Sequence, residues 1–150
     1  MIQICQGSLF DSSAQALVNP VNCKGAAGRG LAYDFRLRYP VNHKLYSQSC
    51  QRGEMRPGYV LFCDIATLFP PFYIINFPTK DDWRKPSQES YIRDGLDSLV
   101  ALVSRRSIES VAIPPLGCGL GGLAWEVVRP LVVAAFDPLP NVNVFLYEPQ

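Results

Sequence analysis

Two hydrophobic periods alternate along this chain. Short runs rich in β-branched and aromatic residues, bounded by Gly, Pro or Asn, read as strands. They are Ile2–Gln6, Ala16–Asn19, Tyr59–Cys63, Phe72–Asn76, Val111–Ile113 and Val142–Tyr147. Other segments carry apolar residues at helical spacing. Ile92, Leu96, Leu99, Val100 and Val103 share one face of Gln88–Ser104, with Ser87 as its N-cap and Glu89 in a first turn whose dipole favours an acid. Leu31–Arg38 is helical and stops before Pro40. Asn42 opens another helix, which runs through about Gln51 and ends at Gly53. Trp125–Phe136 is a further helix, its first turns disturbed by Pro130. Pro78–Pro86 reads as a loop. Strands alternating with helices predict one layered α/β domain with a mostly parallel sheet, whose ligands sit beyond the carboxyl ends of the strands.

Two of the strand-to-helix connections carry chemistry. Val111–Ile113 stops at Pro114 and Pro115, and Leu116-Gly117-Cys118-Gly119-Leu120-Gly121-Gly122 follows before a helix. Glycines let backbone N–H groups approach an anion, and a helix N-terminus adds its dipole. The second connection is Asn19-Pro20-Val21-Asn22-Cys23-Lys24-Gly25-Ala26-Ala27-Gly28-Arg29-Gly30-Leu31. It is neither a Walker A loop nor the GxGxxG fingerprint. Taken alone, it reads equally well as an ordinary connection with glycine turns. Taken with the first, it predicts a diphosphate held between two backbone cradles. Asn22 can both donate and accept hydrogen bonds to sugar hydroxyls.

A third loop follows Ile75-Asn76 and contains Thr79, Lys80, Trp83, Arg84 and Lys85. A lysine amine held in a pocket is a nucleophile or Schiff-base former. Trp83 can wall such a pocket, and the cations attract an anionic substrate. From the residues alone, the simpler account is a solvated charged loop.

Composition narrows the field. Hydrophobic residues make up 48% and charged residues 18%, a globular balance with a formal net charge of +1. That argues against gripping long nucleic acid by charge, though not against reading one modified nucleotide. The five cysteines include no CxxC pair and there is one histidine, so neither a disulfide framework nor a metal site is expected, and no cofactor. A reducing cytoplasm is the simpler setting. The start, Met1-Ile2-Gln3-Ile4-Cys5, lacks the basic and apolar stretches of a secretion signal, and no apolar run is long enough to span a membrane. His43 reads as a surface or capping residue, and Cys23 and Cys118 as small packed loop residues. Arg105-Arg106 reads as a solvated helix end, and Tyr147 as a core aromatic in preference to an adenine stack.

At these loops the chain resembles the macrodomain family, the three-layer α/β/α fold with a mixed, mostly parallel central sheet that binds ADP-ribose. The resemblance rests on Gly7–Phe10, Ala16–Gly30, Gly53–Gly58, Asn76–Arg84 and Pro114–Trp125. It looks most like the branch of DNA ADP-ribosyl glycohydrolase antitoxins of the DarT–DarG type, related to the human terminal ADP-ribose glycohydrolase. The resemblance implies that Lys24–Leu31, with Gly25, Gly28, Arg29 and Gly30, and Leu116–Gly122, with Gly117, Cys118, Gly119, Leu120 and Gly121, enclose the diphosphate and distal ribose. It places Ser8, Leu9, Asn19, Val21 and Thr79 around the same ligand, and Asn22 at the distal ribose. It makes Lys80 the catalytic residue, attacking the anomeric carbon to release a modified base, with thymidine in DNA as the expected substrate. A DNA ADP-ribosyltransferase toxin is the implied partner, and a monomer the implied state. A non-catalytic reader of ADP-ribose, or a hydrolase of protein-linked or small-molecule ADP-ribose esters, is the alternative.

The chain departs from this pattern in places. Ser8 stands where the family has an acid at the adenine, which takes the charge out of that contact. Gly121 stands where the human-type enzyme has an aspartate, so a lysine–aspartate pair is unsupported. Ala26-Ala27 replaces Val-Met, and Arg29 a lysine, in the first loop; Ala124 replaces an aspartate. The antitoxins carry a second, toxin-binding domain, so this chain is expected to be a stand-alone relative or one domain of a longer protein.

Overall fold

The central strands bury alternate residues on opposite faces, so the sheet must be covered on both sides. In the computed structural model, which describes residues 1–150, it is. The elements run β1 (Ile2–Cys5), a 3-10 turn (Leu9–Asp11), β2 (Ala16–Asn22), α1 (Gly30–Arg38), α2 (Pro40–Gln51), β3 (Leu61–Asp64), β4 (Tyr73–Lys80), α3 (Glu89–Arg105), β5 (Ser110–Ile113), α4 (Trp125–Phe136) and β6 (Asn143–Tyr147). The six strands lie in the order β1-β6-β5-β2-β4-β3. Every pairing is parallel except β3 on β4. Ala16, Val18, Ile75, Phe77, Val111 and Ile113 pack with Ile92, Leu96, Leu99, Val128 and Val132 of α3 and α4. Leu17, Ile74 and Ala112 pack on the other face with Phe35 of α1, and Tyr147 belongs to that core as expected. Tyr46 of α2 closes a smaller cluster with Val21, Cys23 and Met55. The result is the expected three-layer α/β/α arrangement. No helix is long and apolar enough to cross a membrane.

Two strands outrun their sequence-based limits, for one reason. β2 continues through Pro20 to Asn22, and β4 through Pro78 to Lys80, so the expected loop at Pro78–Pro86 starts later. β5 pairs with β2 only at Ala16 and Leu17, and β3 pairs with β4 only at Tyr73–Asn76. Beyond those points each strand has an open edge, where a sheet tolerates a proline's missing N–H. The other corrections are local. α2 begins at Pro40, a favoured first helical residue, and not at Asn42, whose side chain turns inward. The N-cap of α3 is Gln88; Ser87 is buried instead. α4 runs unbroken through Pro130, which is exposed. β3 starts two residues later than the expected Tyr59. His43 is half-buried on α2 and caps nothing; burial, and then the nearby Arg36 charge, push its pKa down.

Gly95 sets the spacing of α3 on β4. A Cβ there would lie 2.4 Å from the ring of Phe77, which is fully buried. Gly95→Ala is therefore expected to destabilise the domain by about 1–2 kcal/mol, overpacking outweighing the gain in helix propensity. A denaturant midpoint equal to or above wild type in urea unfolding contradicts this packing.

Candidate functional site

β2, β4 and β5 are adjacent and parallel, so their carboxyl ends deliver three loops to one edge of the sheet. The first loop, after Asn22, is folded around that residue's side chain. Asn22 Oδ1 accepts from the backbone N–H of Lys24 (2.9 Å) and of Ala26 (3.2 Å), while its Nδ2 donates to the Ala26 carbonyl (2.7 Å). The Tyr46 hydroxyl donates to the Asn22 carbonyl at 2.7 Å and lies 3.2 Å from Oδ1. Burial pushes the Tyr46 hydroxyl far up in pKa, so it remains a donor. Asn22 thus shapes the loop, with one amide hydrogen left over. The N–H groups of Ala27, Gly28 and Arg29 donate to no group of the protein, while that of Gly25 is turned toward Tyr46 and Cys50. α1 then starts from Arg29 without a side-chain cap, so its first N–H groups also face outward unpaired.

Beneath this loop lies a knot of buried amides. Asn19 and Asn76 are register partners on β2 and β4. Asn76 Oδ1 accepts from Asn19 Nδ2 (3.1 Å) and Asn42 Nδ2 (3.0 Å), and Asn76 Nδ2 donates to Asn42 Oδ1 (2.8 Å) and the Leu61 carbonyl (3.2 Å). These bonds tie α2 to the sheet directly under the site. Asn19 and Val21 are therefore buried supports of the loop.

The second loop connects β4 to α3. One residue of β4, Thr79, is bulged out of register, and this places Lys80 opposite Asn22. Lys80 Nζ donates to the Trp83 carbonyl at 3.4 Å. Asp82 is almost fully buried and accepts from Arg84 at the backbone N–H (2.9 Å), Nε (3.0 Å) and Nη2 (2.7 Å). Those hydrogen bonds hold the Asp82 carboxyl well below the usual carboxylate range. Trp83 is left exposed between them.

The third loop connects β5 to α4. Leu116 is fully buried and anchors it, and Leu123 N–H donates back to the Gly117 carbonyl at 2.9 Å. Gly117 takes a φ of +74°, a conformation that favours glycine. The N–H groups of Gly117, Gly119, Leu120 and Gly121 find no acceptor in the protein, and α4 starts from Ala124 without a side-chain cap. The two glycine loops thus each present several unpaired donors and feed an uncapped helix. The Cys118 thiol is pushed up to about 11 by burial and then Glu126, and Cys23 to about 12 by burial foremost, so neither is a nucleophile at neutral pH.

The loops are joined in series. Cys23 N–H in the first donates to the Asp81 carbonyl in the second (3.1 Å), and Ser87 N–H at the end of the second donates to the Gly121 carbonyl in the third (3.0 Å). Ser87, expected from the sequence to cap α3, does not do so. It is a wedge between loops, its hydroxyl buried without a protein partner. Asn76 and Tyr46 were also missed; the signal for Asn76 is an asparagine in the apolar strand Ile74-Ile75-Asn76-Phe77, where its type is rare. Ser8 follows the carboxyl end of β1, which is parallel to β6, β5 and β2; its Oγ accepts from Phe10 N–H (3.2 Å) and caps the 3-10 turn, next to the buried Leu9. Leu31 and Lys80 are half-buried, Thr79 is buried, and Lys24 is exposed.

The family model for the Macro domain matches residues 18–132. The chain is 45% identical over 150 residues to a Mycobacterium tuberculosis protein named DNA ADP-ribosyl glycohydrolase; the match covers all of this chain and 43% of that protein. This chain therefore spans less than half the length of that relative. The solved macrodomain of Mycobacterium tuberculosis DarG superposes with a TM-score of 0.98 at 45% identity, covering 100% of this chain and 99% of that one. The structure of Thermosipho africanus DarTG in complex with ADP-ribose matches at a TM-score of 0.90 and 30% identity, over 99% of this chain and 42% of that one. With the family model spanning most of the sheet and all three loops, this chain belongs to the macrodomain family.

Proposed function

We propose that this chain is an ADP-ribosyl glycohydrolase that removes ADP-ribose from a nucleic-acid base, with thymidine in DNA as the substrate and Lys80 as the catalytic residue. The observation that carries the reading is the position of Lys80: the bulge at Thr79 sets it opposite Asn22, on the loop hydrogen-bonded to both glycine loops. A diphosphate held by the unpaired N–H groups on either side fixes the distal ribose beside that amine, and such positioning is a large part of catalysis. In the reaction the Lys80 amine attacks the anomeric carbon through its lone pair. The bond from that carbon to the base breaks, and the base leaves with the electron pair and takes up the proton shed by the amine. Water then hydrolyses the lysine–ribose adduct, freeing ADP-ribose and restoring the amine. The relatives' names support ADP-ribosylated DNA as the substrate class, and the Thermosipho complex supports ADP-ribose as the ligand. The fusion of transferase and glycohydrolase in one relative supports a DNA ADP-ribosyltransferase as partner.

Wild-type protein incubated with an ADP-ribosylated single-stranded oligonucleotide and, separately, with glutamate-ADP-ribosylated protein is expected to release ADP-ribose from the first. Release from the protein ester alone moves the activity to that linkage. Tight binding of free ADP-ribose with release from neither substrate makes the chain a reader.

A further inference from the structure

Resting on the glycohydrolase reading, we propose that the Trp83 side chain is a stacking platform for the nucleobase flanking the modified one, and so selects single-stranded nucleic acid over modified protein. Trp83 is 55% exposed, on the loop that carries Lys80. An indole exposed beside a site offers a flat apolar face to a planar partner. The turn that carries it is well tied down. The buried Asp82 takes three hydrogen bonds from Arg84, the Arg84 guanidinium sits 5.7 Å from the Trp83 ring centroid, and the Trp83 carbonyl accepts from Lys80 Nζ. The backbone under the ring is thus tied to the amine, and a guanidinium lies over the ring. A guanidinium on one side of an indole, with the other open, suits a base, which offers a flat π-face and can be stacked whatever its identity. Lys85 follows, exposed and in no ion pair, and provides one cation for the phosphodiester that accompanies such a base. The formal charge of +1 fits recognition of this kind, where stacking supplies what a broad basic surface does elsewhere. Every nucleotide beside the modified one brings such a π-face, whereas the residues beside a modified acid of a protein bring one only by chance.

The test uses Lys80→Ala as background, so that substrate binds without turnover, with and without Trp83→Ala and Trp83→Phe. The probes are free ADP-ribose and a short single-stranded oligonucleotide with an internal ADP-ribosylated thymidine and nucleotides on both sides. Trp83→Ala is expected to weaken the oligonucleotide roughly 5- to 150-fold, the range for loss of one stacked base. Free ADP-ribose should bind unchanged, and Trp83→Phe should recover most of the loss. Equal weakening of both probes makes Trp83 a wall of the ADP-ribose pocket and overturns the proposal, as does no weakening of either. Failure of the glycohydrolase reading shows separately, as wild-type protein that binds the oligonucleotide and leaves it intact.

Discussion

Lys80→Ala is expected to slow release of ADP-ribose from modified DNA by on the order of 10²–10⁴-fold, the usual scale for deleting one group that moves a proton or forms a bond at the reacting centre. Free ADP-ribose should still bind, because the cradles are built from backbone N–H groups that do not involve the lysine side chain. Loss of activity with affinity retained is the pattern of a group that acts mainly in the transition state. Lys80→Arg is the informative companion. It keeps the positive charge and lacks a nucleophilic amine, so it should be as inactive as the alanine variant. Near-wild-type turnover by Lys80→Arg in single-turnover assays assigns the residue an electrostatic role and removes the covalent step.

The second large effect is expected at Gly121. A Cβ added there would lie 2.3 Å from Ser87 Oγ and 2.5 Å from the carbonyl oxygen of Gly117. The hydroxyl can rotate away, but the carbonyl belongs to the backbone that presents the free N–H groups. The loop must therefore reshape, at a cost of about 1–3 kcal/mol. Gly121→Ala should lower ADP-ribose affinity roughly 5- to 150-fold by calorimetry and also lower the melting temperature. Gly119→Ala is the stability control, since its Cβ would meet nothing within 4 Å and should leave the melting temperature unchanged. Undiminished ADP-ribose affinity in Gly121→Ala means that this loop does not hold the diphosphate. The same crowding bears on the position where the human-type enzyme, by the resemblance, has an aspartate. An acid at position 121 has no room to enter while Ser87 and the Gly117 carbonyl occupy the space.

Much of this site is legible because glycine and proline punctuate the chain. Both glycine loops, the strands feeding them and the lysine can be placed from local pattern alone. What escaped is non-local. Pro20 and Pro78 read as strand ends, since nothing in their neighbourhood reveals that a sheet edge lies open beside each. The alignment of Asn22 with Lys80 depends on a bulge between two strands more than fifty residues apart in sequence. The inward turn of Ser87 and the amides of Asn19, Asn42 and Asn76 are pairings across elements, and a sequence read residue by residue carries no mark of a partner. The residues alone favour a solvated loop at Pro78–Pro86, and the weight on Lys80 comes from the resemblance.

The serial joining of the three loops makes two amide protons into reporters. Cys23 N–H and Ser87 N–H are the donors that latch the lysine loop to its neighbours on either side. A ligand that bridges the outer loops must press both latches shut, so the two amides should slow together in hydrogen–deuterium exchange when ADP-ribose binds. A fragment that fills one cradle, such as inorganic phosphate, should protect only one. The pair thus distinguishes, without any assay of chemistry, a ligand spanning the site from one lodged in half of it.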